Sequence, residues 1–389
     1  MPYIILFWLI SWLLEGNFKK RFVQQNSLLS CWLLPIYYSL LIIGMFYTEN
    51  RDEGFFDLEE KLSLLLFPLL IAGVSNIYRK HIHIALLVFV ISNVLASFIC
   101  LGSAFYNTIT HAVDESGAGF FYYENLSVFH HPSYFSMYLC FSLCILFYFI
   151  EKKIFLSKKK HSFITLALML IHLVMIYLLS SKAGLIALIV MLLWWSFRFI
   201  SAYSNKWLSI STFVIIFGIV FYFLSTNYRV KVIWNQIKNT SLESSASGQG
   251  DERLLMWMAS VEVIKDNFWL GTGTGDVKTE LHKVYSSRQL TEATEKYQNV
   301  HNQYFETFAT IGVFGFILLL TALLYYLISG FFKSNLLLSM LIGIIMINFM
   351  FESMLNTQAG VVFIAFFIPL LSNFLSINHK TQNHLLLQT

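Results

Sequence analysis

A few positions in this chain join a reactive side chain to surroundings that can use it. His301 opens the run His301-Asn302-Gln303-Tyr304-Phe305, where a long polar segment gives way to an apolar one. An imidazole that is uncharged near neutral pH accepts a proton, so a histidine held there suits a general base; the plainer reading is a helix-capping or interfacial residue. Arg253 heads a predicted helix, and Lys182 sits in the tight Ser180-Ser181-Lys182 turn between two apolar runs. A guanidinium fork and an ammonium point charge both hold phosphate, and little competing acid is expected beside them. The ordinary alternatives are pairing of Arg253 with Asp251 or Glu252 and snorkelling of Lys182. Arg229, early in the long polar segment, joins these as a substrate-binding cation, as does Asn302 as a polar contact.

His130-His131-Pro132 opens another apolar run, and Pro132 fits the first turn of a helix, where its missing N–H costs nothing. His131 is a candidate substrate contact; adjacent histidines do not share a helix face, which argues against a metal pair. Glu352, with Asn348 on the same face, ends a run and either orients a substrate sugar or marks the headgroup boundary. Gly271-Thr-Gly273-Thr-Gly275 lacks the GxGxxG spacing and no strand precedes it, so it reads as a flexible turn and not a nucleotide loop. Cys31, Cys100, Cys140 and Cys144 lie inside apolar runs, outside any metal-ligand spacing, and read as small buried hydrophobes. No metal or cofactor is expected.

The elements that must carry these groups are membrane helices. Of the 389 residues 57% are hydrophobic and only 12% charged, against roughly 25% charged in a soluble domain. The apolar residues come in runs near the length that crosses about 30 Å of hydrocarbon. Eleven spans are predicted, near 1–14, 28–47, 60–77, 82–103, 130–150, 162–180, 183–199, 207–225, 303–329, 336–351 and 359–377. The expected class is an all-α polytopic membrane protein: an N-terminal bundle over 1–225, a polar loop domain over 226–302, and C-terminal spans with a short tail over 303–389. The first run begins at Met1, but no small-residue cleavage site follows it, and it is read as a helix.

Lys and Arg accumulate in cytoplasmic loops. Lys19-Lys20-Arg21, Arg79-Lys80, Lys152 to Lys160, Arg198 with Lys206, Lys333 and Lys380 fall on one side. The other side receives residues 49–60, the loop with Asp114, Glu115 and Glu124, the Lys182 turn, 226–302 and 352–358. That places the long loop and the N-terminus of the chain outside, and the C-terminus of the chain inside. A net charge of +4 spread between spans points to topology and not to a nucleic-acid partner. Within the loop, Trp257, Val261, Ile264 and Phe268 recur at helical spacing and predict an amphipathic helix from Arg253. Lys278 to Lys296 reads as a polar return, and Gly312 and Gly315 as small residues for close helix contact.

In this order, Ser180-Ser181-Lys182-Ala183-Gly184, Arg253-Leu-Leu-Met-Trp257, Asn267-Phe-Trp-Leu-Gly271-Thr-Gly273-Thr-Gly275 and His301-Asn302 with Gly312-x-x-Gly315 resemble the O-antigen ligase and O-antigen polymerase family of bacterial inner-membrane glycosyltransferases. The matched region runs from about residue 175 to 320 and the motifs act as an ordered set; the N-terminal half is similar mainly in its run of spans. The resemblance implies transfer of a glycan from a polyprenyl-diphosphate donor to an acceptor hydroxyl, on a lipid A-core or another glycan, at the periplasmic face without metal or nucleotide. It implies roles for His301 as the histidine of the HN motif, Arg253 as the arginine before the amphipathic helix, and Lys182 as the basic residue of the turn. The family usually carries Arg in that turn, so Lys182 holds phosphate without a bidentate fork, and members often have one span more, with a cytoplasmic N-terminus. The rival from another class is a transporter or flippase of lipid-linked glycan, which tends to show inverted repeats, interrupted helices and ionisable groups at depth; His172 and Asn93 are the polar groups at depth here.

Overall fold

The computed structural model describes residues 2–16, 28–72, 79–110, 119–154, 159–202, 252–332 and 335–386, with the isolated positions 211 and 218. Among the described residues there is no strand. The main helices are α1 (Pro2–Glu15), α2 (Leu28–Gly44), α3 (Arg51–Lys61), α4 (Ser63–Ala72), α5 (Arg79–Ile109), α6 (Pro132–Glu151), α7 (Lys159–Leu179), α8 (Lys182–Ala202), α9 (Glu252–Asp266), α10 (Val277–Ser287), α11 (Gln303–Phe332), α12 (Leu336–Phe349) and α13 (Gln358–Leu386). Segments within α5, α6 and α11, namely His81–Ile109, Pro132–Glu151 and Gln303–Phe332, are long and apolar enough to cross a membrane. The predicted span near 207–225, and Arg229, lie outside the described residues, as do the basic run 19–21 and the Ser-rich stretch before Arg253.

The chain forms two compact units, one of residues 1–85, 256–342 and 353–389, the other of 86–255 and 343–352. In the first, α4 packs between α2 and α13, and α2 also lies along α11. Leu41, Leu64, Leu70, Ile71, Val361 and Ala365 form its dry interior. Two polar ties fix the register: the Tyr37 hydroxyl meets Thr307 Oγ1 at 3.0 Å, and Asn373 Nδ2 donates to the Ile71 carbonyl at 3.0 Å.

In the second unit α6 is covered by α7 and α8 and is buried along almost its whole length, as a helix apolar on every side requires. Gly184 lets α8 approach: a Cβ there would lie 2.3 Å from Ser136 Oγ. Asn93 Nδ2 donates to Ser142 Oγ at 3.1 Å, satisfying a polar group that would be costly unpaired in hydrocarbon. α6 and α8 run parallel, tied at their N-terminal ends by Ser181 Oγ to Ser133 Oγ (3.3 Å) and near their C-terminal ends by Arg198 to Glu151 (2.9 Å). The four cysteines are buried and free, as their surroundings in the sequence imply.

The polar segment departs from expectation in three ways. α9 buries Leu255, Met256, Ala259, Ser260, Val263 and Ile264, while Trp257 and Val261 are only part-covered and Phe268 is exposed beyond the helix end. Leu254 and Met258 are also exposed, so apolar residues surround this helix, and packing selects a different stripe from the one its spacing suggested. The polar return contains α10, which is amphipathic, burying Val277, Leu281 and Tyr285 at i, i+4 and i+8.

The third departure is the glycine run, which is no free turn. α11 breaks at Ile311 (φ −127°, ψ 21°) and Gly312 (φ 66°, ψ −164°). The strap 268–275 takes up the backbone groups the break releases: Thr272 N–H donates to the Ala309 carbonyl at 2.8 Å and Gly273 N–H to Thr310 at 3.0 Å, while Val313 N–H donates to the Phe268 carbonyl at 3.0 Å. Thr274 Oγ1 donates to the Leu41 carbonyl at 2.6 Å. Asp276 closes the strap, its carboxylate accepting the N–H groups of Glu49 and Asn50 at 2.8 Å each, just ahead of α3. Gly312 therefore serves a backbone break and a strap, not a helix-helix contact, and Gly315 lies against the side chain of Ile311 in its own helix.

Candidate active site

The second unit brings Arg253 and Glu352 together. Arg253 Nη2 donates to Glu352 Oε1 at 3.1 Å and Nη1 to the Phe351 carbonyl at 3.3 Å. Asp251 lies outside the described residues, but the acid actually placed on the guanidinium comes from far along the chain, contrary to the expectation of little competing acid. The Glu352 side chain is 5% exposed and that of Arg253 23%, so the pair is shielded from bulk water and its geometry is held firmly. Glu352 Oε1 also accepts Ser133 Oγ–H at 3.0 Å and stands 3.9 Å from His131 Nδ1.

His131 caps α6, its Nδ1 facing Ser133 N–H at 3.4 Å, with Pro132 in the first turn as predicted. Its Nε2 lies 3.4 Å from both Glu124 Oε1 and the Tyr123 hydroxyl. Ser133 in turn meets Ser181, the residue before Lys182, which begins α8 half-buried. Arg253, Glu352, His131 and the turn carrying Lys182 thus form one connected polar cluster at the N-terminal ends of α6 and α8. In this cluster Glu352 accepts from both the Arg253 guanidinium and Ser133 Oγ–H. Two backbone positions at this cluster, Tyr123 (φ 49°) and Ser180 (φ 45°), adopt the left-handed conformation that non-glycine residues avoid. Strain of about 1–3 kcal/mol at such positions persists only where the surroundings impose it, and it gathers at functional sites.

His301 belongs to the first unit and is likewise left-handed, at φ 50°. The backbone around it is clamped group by group. Val300 N–H donates to Glu306 Oε2 at 3.3 Å, the Val300 carbonyl accepts Trp257 Nε1–H at 3.1 Å, and His301 N–H donates to Asn299 Oδ1 at 3.0 Å. Asn302 is the N-cap of α11, its side-chain oxygen accepting Tyr304 N–H at 3.0 Å and Phe305 N–H at 3.2 Å. The plain capping role accordingly belongs to Asn302, and His301 is left as the half-buried residue displayed ahead of the cap.

Residues 164–320 match the model of the O-Antigen ligase family. Over this stretch, less than half of the chain, the protein is similar to that family. No curated protein matched the chain. The O-antigen ligase region holds Lys182, Arg229, Arg253, His301 and Asn302, and it extends the motif resemblance upstream into α7. His131 and Glu352 lie outside it, yet Glu352 contacts Arg253 inside it. The similarity suggests a glycosyltransferase-like membrane enzyme of ligase or polymerase type. Among the described residues no group of three or more His, Cys, Asp or Glu is placed to hold a metal ion.

Sequence reasoning passed over Ser133, Ser181 and Glu306. Ser133 is a small residue at a span end with nothing in its spacing to mark it, and Ser181 entered only as part of the Lys182 turn. Glu306 did carry a signal, since an acid in the first turn of an apolar span is ordinary if exposed and costly if buried, and only its burial at 2% exposure separates the two.

Proposed function

We propose that this protein transfers a glycan from a polyprenyl-diphosphate donor to an acceptor hydroxyl at the periplasmic face of a bacterial inner membrane, inverting the anomeric carbon and using no metal or nucleotide. The observation that carries this reading is the aimed guanidinium: Arg253, ordered by Glu352 and the Phe351 carbonyl, in a cluster that also contains the Lys182 turn. A diphosphate is a good leaving group already, so what speeds its departure is fixed positive charge. Arg253 supplies that charge, with Lys182 and Arg229 as further contacts, and His131, Glu352 and Asn302 order the substrate.

His301 accepts the proton of the acceptor hydroxyl. The bond from the anomeric carbon to the phosphate oxygen breaks, its electron pair leaving with the polyprenyl diphosphate. A bond from that carbon to the acceptor oxygen forms in the same displacement. General-base assistance of this kind contributes roughly 10²–10⁴-fold, and His301→Ala is expected to lose transfer by that factor while expressing and folding normally. The assay uses purified protein, an undecaprenyl-diphosphate-linked oligosaccharide, and lipid A-core or a second donor molecule as acceptor, with a chelator present. Product on lipid A-core marks a ligase, and a lengthened lipid-linked chain marks a polymerase. Full transfer by a well-folded His301→Ala protein removes the histidine from the mechanism.

One observation favours a second reading. The break in α11 at Ile311–Gly312 is an interrupted helix of the sort transporters use. Movement of glycan lipid across vesicles containing the protein, with no new glycosidic bond, would establish transport instead.

A further inference from the structure

Glu306 is buried in the first turn of α11, and its carboxylate oxygens are taken by neutral hydrogen-bond donors. Its Oε1 accepts Asn356 Nδ2–H at 2.8 Å, and its Oε2 accepts Ser353 Oγ–H at 3.4 Å and Val300 N–H at 3.3 Å. The carboxylate therefore faces back, past the N-cap Asn302, to the peptide that precedes His301. Trp257 Nε1 takes the Val300 carbonyl on the other face of the same residue. Val300 itself is fully buried. Two side chains, one six residues after Val300 and one 43 residues before it, thus grip one residue from both sides, and the next residue is held at φ 50°.

We infer that Glu306 is a positioning residue for His301: through Val300 it fixes the left-handed backbone that presents the imidazole. This rests on the reading of His301 as proton acceptor. Nothing in a merely stabilising acid requires that one of its hydrogen bonds hold the peptide next to a strained histidine. A carboxylate oxygen serves here because it accepts two donors at once, and an amide oxygen on the same stem retains part of that function. Misplacement of a catalytic group by about 1 Å costs on the order of a hundredfold in rate, and that cost falls on the chemical step and not on binding.

The test compares Glu306→Ala, Glu306→Gln and His301→Ala in the transfer assay, with thermal unfolding in detergent as the folding control. Glu306→Ala should lower kcat about ten- to a hundredfold with KM for donor and acceptor within about twofold of wild type, and Glu306→Gln should recover part of the loss. A folded Glu306→Ala protein with wild-type kcat overturns the inference, as does a kcat loss matched by rising KM values, the pattern of general loosening. Should the Glu306 variants fail to fold, Ser353→Ala and Asn356→Ala each remove one donor from the carboxylate; a fall in kcat at constant KM supports the positioning role, and unchanged kcat in both overturns it. Loss of transfer in His301→Ala beside an unaffected Glu306→Ala sinks only the positioning role, whereas full transfer by His301→Ala sinks the reading of His301 itself.

Discussion

An arginine side chain loses up to about 2 kcal/mol of rotamer entropy when it is fixed. At Arg253 that cost is met before any substrate arrives, because Glu352 takes one end of the guanidinium and the Phe351 carbonyl the other. Replacement by lysine keeps the charge and discards the planar fork, and each hydrogen bond to a charged partner is worth about 1.5–3 kcal/mol. Arg253→Lys is therefore expected to lower kcat/KM for the donor about ten- to a hundredfold, read by initial rates at varied donor concentration. Undiminished kcat/KM would mean that a point charge suffices. Arg253, Lys182, His131 and Glu352 were legible as residue types at span ends, because charge is scarce in this sequence and its placement is conspicuous. That Glu352 belongs to Arg253 was not legible, since the two are 99 residues apart and no local pattern encodes a pairing made by the fold.

Among the elements, the strap and the helix it mends are one device. A helix broken within a span leaves carbonyl and N–H groups that hydrocarbon cannot satisfy, and Thr272, Gly273 and Phe268 satisfy them here. Gly312 lies in a region of backbone space open essentially to glycine alone, and a Cβ there would sit 2.2 Å from the Trp269 carbonyl oxygen. Gly312→Ala should cost about 2 kcal/mol or more and lower the unfolding temperature in detergent; an unchanged midpoint would show that the strap yields. The sequence disclosed that glycines recur at 271, 273, 275, 312 and 315, but flexibility and close packing draw on the same residue, and only the bonding partners tell them apart. α10 and α3 offer a second test. Half-burial by itself would lower the proton affinity of Lys278, but its hydrogen bond to Glu53 and the charges of Asp57, Glu53 and Glu306 outweigh that and raise it. A raised folded value means that the lysine stabilises fully below the unfolded value, near 10.4, and that this contribution is lost as pH rises through the folded one. Thermal midpoints should then fall more steeply above about pH 10.4 for wild type than for Lys278→Met; parallel curves would show that the pair contributes nothing.

For the whole molecule, the question is which ends face which compartment. Hydropathy is a local property, so apolar runs are helical where the chain is described, and three of those helices are long and apolar enough to cross a membrane, whereas α12 at 14 residues is about 21 Å long. Parallel α6 and α8 carry Ser133, Ser181 and Lys182 at one end and Glu151, Lys152 and Arg198 at the other. One end of that pair is polar without a basic surplus and belongs to the candidate active site; the other is flanked by Lys152, Lys153 and Arg198, all exposed. Basic residues resist translocation, so the second end is expected in the cytoplasm and the first outside, and the sequence pattern of alternating loops expects the polar segment that contains Ser287 outside as well. Buried native cysteines keep the background low, so exposed single-cysteine replacements can decide the matter. With a membrane-impermeant maleimide on spheroplasts, Ser287→Cys should label fully and Lys152→Cys only after permeabilisation. The reverse pattern would turn the transfer site toward the cytoplasm and end the proposed reaction at the outer face.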